Sequence, residues 1–411
     1  MTRSARNKQP GRFAGAGLAG MLGPAFVAAV AYVDPGNVAA NVTAGAHYGY
    51  LLVWVLVLSN LMAVLIQYQS AKLGIVTGAS LPETLGARLP RWARIGFWVQ
   101  AEIVAAATDL AEVIGGAIAL TLLFGIPLLW GAVITAAVSF VLLVAQGKRQ
   151  RIFERVVIGL LIVIAFGFLA GLAISPPPLG QVASGLIPRF EGSETVLLAA
   201  SMLGATVMPH AIYLHSALVN DRFGGSRRGI GVLLRASKFD VAWALLVAGL
   251  VNIGLLVLAA HSLFGVAGTD SIEGAHAAIV AGLGGVVGTI FAIGLLASGL
   301  ASTSVGAYAG SEIMKGLLHV SIPLWVRRLV TIIPALVVLG FHVPPTVALV
   351  WSQAVLSLGI PFAIVPLFWA TGSTSVMGKH ADSRITRAVV WAVAAAVVAL
   401  NIALVALTIA E

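Results

Sequence analysis

The sequence predicts an all-α integral membrane protein with 11 transmembrane helices: two inverted sets of five and one appended helix, with helices 1 and 6 broken. Three observations predict it. Charged residues make up only 9% of the 411 and hydrophobic ones 59%, with a mean hydropathy of +1.02, whereas soluble domains carry about 25% charge. The basic residues gather on one side of the apolar segments, as the positive-inside rule requires. Two of those segments are interrupted by short polar signatures at corresponding positions, one per set of five.

A span needs about 20 apolar residues. The segments that meet this are 18–46, 51–74, 95–120, 128–147, 156–174, 195–219, 239–262, 279–305, 325–341, 346–370 and 387–408. Arg3, Arg6, Lys8 and Arg12 precede the first, and the apolar run after them is too long for a cleaved signal's core, so no cleavage is expected. With the N-terminus cytoplasmic, every basic residue except Arg189 falls on the cytoplasmic side. They lie at Lys72 to Arg94, Lys148 to Arg155, Arg222 to Lys238, Lys315 to Arg328 and Lys379 to Arg387. Adding or dropping one span would scramble that pattern.

This topology divides the chain into residues 1–174 (tail and first half), 175–370 (linker and second half) and 371–411 (appended helix). The linker carries Pro176-Pro177-Pro178. The expected location is a bacterial-type inner membrane, with the C-terminus outside. The formal charge of +9 serves topology and anionic lipid; no nucleic acid and no obligate protein partner is inferred. The absence of cysteine excludes disulfides, thiolate metal sites and iron–sulfur ligation.

The first signature is Asp34-Pro35-Gly36-Asn37 and the second Met208-Pro209-His210. Proline removes a backbone donor and clashes with the preceding turn. Backbone freed at membrane depth must be satisfied by protein, water or an ion. A turn puts the oxygens of Asp34 and Asn37 on one side, and an unwound stretch before Pro209 frees the carbonyl of Ala205. Oxygens alone would suit Mg²⁺, Ca²⁺ or Mn²⁺; the soft sulfur of Met208 favours later transition metals. Each signature also has a plainer reading. Asp34 can cap a helix with Pro35 at its first position, Met208 can be packing, and His210 can be a hydrogen-bonded core histidine.

The stretches Ala31-Tyr-Val-Asp-Pro-Gly-Asn37 and Ala44-Gly-Ala-His-Tyr-Gly-Tyr50 resemble the first helix of the Nramp family of proton-coupled Mn²⁺/Fe²⁺ transporters. Gly204-Ala-Thr-Val-Met-Pro-His210 and Tyr213-Leu-His-Ser-Ala217 are similar to that family's sixth helix. Thr108-Asp-Leu-Ala-Glu112, Ile322-Pro-Leu-Trp-Val-Arg-Arg328 and Ser352-Gln353 extend the likeness over essentially the whole chain. The resemblance implies a LeuT-like inverted-repeat fold with Asp34, Asn37, Met208 and the Ala205 carbonyl as metal ligands. It implies that Gln353 approaches the ion in some conformations. Met208 favours the Mn²⁺/Fe²⁺ branch, since some relatives that move Mg²⁺ or Al³⁺ lack it. Ala211 departs from the asparagine of many members, with altered packing or conformational balance as the expected consequence.

Glu102, Asp109 and Glu112 in the third span fall within roughly 80° of one another on a helix. Each charge costs at least ~2.5–3.5 kcal/mol at the bilayer centre, so the three mark an interior polar pathway; interhelical polar glue is the plainer alternative. Arg327 and Arg328 are candidates to pair with Asp109 or Glu112, or to anchor the ninth span at the membrane surface. The resemblance implies a proton route along Asp34, His210, Asp109, Glu112 and these arginines, with Gln67 and His215 as weaker members.

The expected function is secondary-active import of Mn²⁺ and Fe²⁺, with Cd²⁺ and Co²⁺ also carried, coupled to H⁺ by alternating access. The metal is substrate; no cofactor is expected. An amino-acid or organic-cation symporter of the same fold is the alternative, although it has no need of a thioether beside Asp34. An intramembrane metalloenzyme is disfavoured because no His-Glu-x-x-His occurs.

Overall fold

The computed structural model describes residues 23–146, 150–224, 226, 228–269, 271–320 and 322–410. The start of the first span and Arg3, Arg6, Lys8, Arg12, Lys148, Arg149 and Arg227 lie outside the described residues. Those described are helical almost throughout and contain no strand.

The chain enters through α1 (Pro24–Ala31), unwinds over Tyr32, Val33 and Asp34, and resumes as α2 (Pro35–Tyr48). Pro35 causes the break: it has no N–H to continue α1, yet its fixed φ suits the first position of a new helix. α1 begins against a carboxylate from far along the chain. Asp240 accepts the N–H of Gly23 (3.1 Å) and of Ala25 (2.9 Å), so donors that a helix start leaves unpaired are satisfied.

α3 (Val53–Thr77) ends at left-handed Gly78. A short α4 (Leu81–Gly86) follows, opened by a capping box between Ser80 and Glu83. α5 (Arg91–Phe124), α6 (Leu128–Gln146) and α7 (Gln150–Ile174) complete the first half of the helices. The linker contains one short helix, α8 (Leu179–Ser184).

α9 (Ser193–Thr206) and α10 (Pro209–Phe223) repeat the device of α1 and α2, with Val207 and Met208 unwound before a proline. α11 (Ile230–Ser262), α12 (Ile272–Leu283), α13 (Gly285–Leu318), α14 (Leu324–Gly340) and α15 (Pro345–Gly372) follow. After α16 (Thr374–Met377) the chain ends in α17 (Arg384–Ala410).

Among the described residues, seven stretches are long and apolar enough to cross a membrane on their own: α3, α5, the α9–α10 pair, α11, α13, α15 and α17. The α1–α2 pair, of 8 and 14 residues, is not among them. The count of eleven crossings therefore stays an expectation. One boundary is corrected. The apolar run expected at 279–305 is two helices, because Gly284 takes φ +93°, where a side chain would be strained; α13 then runs on to Leu318.

The packing places both breaks inside. α5 lies along α13, α15 along α9 and α5, and α11 along α2 and α3. Small residues permit these approaches, as is usual in membranes. Gly45 meets the Leu256 carbonyl and Gly204 meets the backbone of Gln353, leaving no room for a Cβ at either position. Large apolar side chains on the outer faces, among them Leu61, Trp130 and Phe166, are exposed. At membrane depth such exposure faces lipid tails. The molecule is an all-α integral membrane protein with the two breaks where the sequence places them.

Candidate metal centre

Asp34 takes the capping role that its sequence allows. It caps α2, with Oδ1 accepting the Asn37 N–H at 2.8 Å. It is also fully buried, with Oδ2 accepting Gln353 Nε2 at 3.0 Å. No cationic side chain among the described residues pairs with it. A buried carboxylate without a counter-charge is costly, so the position calls for a proton or a cation.

Two carbonyls at the first break are satisfied by side chains. The Tyr32 carbonyl accepts Asn37 Nδ2 and, at 2.8 Å, Asn252 Nδ2. The Val33 carbonyl accepts the Ser298 hydroxyl. Asn37 Oδ1 accepts Asn41 Nδ2 at 2.8 Å. At the second break, as at the first, proline removes a helical donor. In a continuous helix the N–H at position 209 would bond the Ala205 carbonyl; proline has none, so that oxygen loses its helical partner. Ala205 and Met208 are both at 0% exposure.

Gln353 joins the two breaks. Its side chain bonds Asp34 and lies against Gly36, while its own carbonyl lies against Gly204, one residue before Ala205. Its Oε1 is buried with no partner among the described residues. A carboxylate, two amide oxygens, a main-chain oxygen and a thioether are thus carried by two breaks and the helix between them. This donor set fits a divalent transition metal: its oxygens suit a hard ion, its sulfur a soft one, and its single carboxylate offsets part of the charge.

The acidic residues of α5 form two separate ion-pair groups with α14. Arg328 bonds Asp109 and, at 3.2 Å, Glu112, and its other amino group reaches the Thr303 hydroxyl at 3.3 Å. Arg327 departs from expectation. It pairs with Glu102 (3.0 and 3.1 Å) instead of Asp109 or Glu112, because its guanidinium passes over Gly310, where no side chain intervenes. Trp98 Nε1 adds a bond to Glu102 at 3.1 Å. His210, at the start of α10, has a buried Nδ1 without a partner among the described residues.

A second polar chain reaches the first break from α3. His215 Nδ1 contacts Gln67 Oε1 at 2.7 Å, and Gln67 Nε2 bonds the Tyr32 hydroxyl. Gln67 and His215 are therefore linked to the break itself. Sequence reasoning missed Tyr32, Asn41, Asn252, Ser298 and Thr303. The two asparagines had a signal, since an amide inside a long apolar run must find a partner there; the others resemble ordinary packing.

The chain resembles known proteins over nearly its whole length. A family model described as Nramp, natural resistance-associated macrophage protein-like, matches residues 25–407. A divalent metal cation transporter MntH of Mycobacterium tuberculosis is 57% identical over 394 residues, 95% of this chain and 92% of that protein. A crystal structure of the Eremococcus coleocola manganese transporter, in complex with an aromatic bis-isothiourea substituted compound, superposes with a TM-score of 0.84. It is 34% identical and spans 93% of this chain and 85% of the other. The structure of MhsT in complex with L-phenylalanine, 17% identical, aligns over 94% of this chain and 97% of its own with a TM-score of 0.59; that likeness bears on the LeuT-like fold alone.

Proposed function

Because the chain belongs to the Nramp family of divalent metal cation transporters, we propose that it imports Mn²⁺ and Fe²⁺, and carries Cd²⁺ and Co²⁺, in exchange of access between the two membrane faces and together with protons. The observation that carries this reading is Asp34: fully buried, without a cationic partner among the described residues, in one break and linked through Gln353 to the other.

In this reading Asp34, Asn37, Met208 and the Ala205 carbonyl hold the ion, and Gln353 closes on it. The unpartnered Oε1 of Gln353 and the carbonyl released by Pro209 support those roles. The eleven helices form halves 1–174 and 175–370 with 371–411 appended. The N-terminus is cytoplasmic and the C-terminus lies outside the inner membrane. Half-helices ending at the site let one half rock against the other, which opens it to each side in turn.

Asp34 holds a proton or faces a cation, but not both at full strength. A proton displaced by the metal passes by way of His210 to the Asp109, Glu112 and Arg328 group, with Glu102 and Arg327 at its end. A dication moving inward gains about 2.3 kcal/mol per charge per 100 mV, so voltage supplies much of the drive and the proton sets direction and rate.

The amino-acid symporter reading gains no support from the site, since an ammonium and a carboxylate have no use for Met208 beside a lone carboxylate. The test is Mn²⁺ flux into proteoliposomes by Asp34→Ala. Abolished flux is expected; flux equal to the parent's, with the variant folded, removes the proposed ligand. Competition by Cd²⁺ but not by amino acids separates the two substrate classes.

A further inference from the structure

Asn41 lies one helical turn after Asn37 on α2, fully buried. The orientation of both amides follows from one backbone atom. The Tyr32 carbonyl can only accept, so the Asn37 group bonded to it must be the NH₂ end. The oxygen of Asn37 then points the other way, where only a donor can meet it. Asn41 supplies that donor with Nδ2 at 2.8 Å. Its own Oδ1 is left buried with no partner among the described residues. Buried polar atoms are rarely left so, and such an exception needs an explanation.

We infer that Asn41 is a positioning residue for the transported metal: it holds the Asn37 amide with its oxygen, not its NH₂, available to the ion. An amide oxygen has two lone pairs, so one can accept from Asn41 while the other faces a cation. A flipped amide would present two N–H donors, which repel a dication. The inference rests on Asn37 as a ligand, and it deepens that reading by assigning the group that orients it. Outer groups of this kind typically change metal affinity by about 10–100-fold when removed.

The effect depends on the ion. Mn²⁺ relies on oxygen donors, whereas Cd²⁺ draws more of its binding from the Met208 sulfur. Asn41→Leu keeps the size of the side chain and removes the donor. Calorimetric titration of the purified full chain is expected to show Mn²⁺ binding weakened by about tenfold or more and Cd²⁺ binding changed far less. In an Asn37→Ala background, Asn41→Leu is expected to add nothing. Asn41→Gln, which restores an amide donor, recovers part of the Mn²⁺ affinity.

Unchanged Mn²⁺ affinity in Asn41→Leu would overturn the inference. So would equal weakening of both ions with a lowered melting temperature, or an additive loss in the Asn37→Ala background. Unchanged affinity in Asn37→Ala alone overturns instead the ligand reading beneath it.

Discussion

Replacing Arg328 tests what the buried ion-pair group does. Arg328 bonds both Asp109 and Glu112 inside the helix bundle, all three fully or nearly buried. Arg328→Met keeps the bulk and removes the charge, which leaves two carboxylates facing each other without a cation. Breaking one partner out of a buried pair costs about 3–5 kcal/mol, because the remaining charge stays desolvated. The cost is relieved only when the carboxylates take up protons, and a protonated pair no longer relays them. The triple variant Arg328→Met, Asp109→Asn, Glu112→Gln has no uncompensated charge, and replacement of a whole buried ionic group is often close to neutral. The single variant is therefore expected to melt well below the parent, and the triple to recover most of that loss. Both are expected to bind Mn²⁺ and to move few protons. The assay is thermal unfolding in detergent beside proteoliposome flux read with a pH dye and a metal-sensitive dye. A single variant as stable as the parent, or a triple that moves protons at the parent's rate, refutes the reasoning.

Two further substitutions probe the second break. Met208→Ala is expected to retain Mn²⁺ transport while admitting Ca²⁺ or Mg²⁺, because the remaining donors are all oxygens; competition flux assays read this, and unchanged selectivity removes sulfur as the filter. Gly204→Ala is expected to abolish transport with the fold kept, since a Cβ there meets the backbone of Gln353 and, at 2.7 Å, the Ser357 nitrogen. Forcing α9 off α15 separates Gln353 from the site, and parent-like flux in that variant would contradict the close packing.

Much of this architecture is legible in the sequence because bilayer and proline rules are local. A proline inside a span-length apolar run cannot continue the helix, so the positions of both breaks follow from Pro35 and Pro209. Asp34 caps α2 as a local rule predicts, while its full burial beside Gln353 depends on packing that no local rule gives. The partners were less legible. Arg327 and Arg328 are adjacent, yet Arg328 turns to Asp109 and Glu112 while Arg327 turns across Gly310 to Glu102. That choice depends on where α13 leaves space, which no local rule gives. The Asn37–Asn41 bond is local, at helical spacing, but its meaning depends on the Tyr32 carbonyl. The split between α12 and α13 was hidden because Gly284 interrupts residues that are apolar on both sides.

The most direct measurement is anomalous diffraction from crystals soaked in Mn²⁺. One strong peak is predicted within coordination distance of an Asp34 oxygen, the Ala205 carbonyl and the Met208 sulfur. A peak elsewhere in the molecule, with density between the two breaks left featureless at saturating metal, would contradict the account.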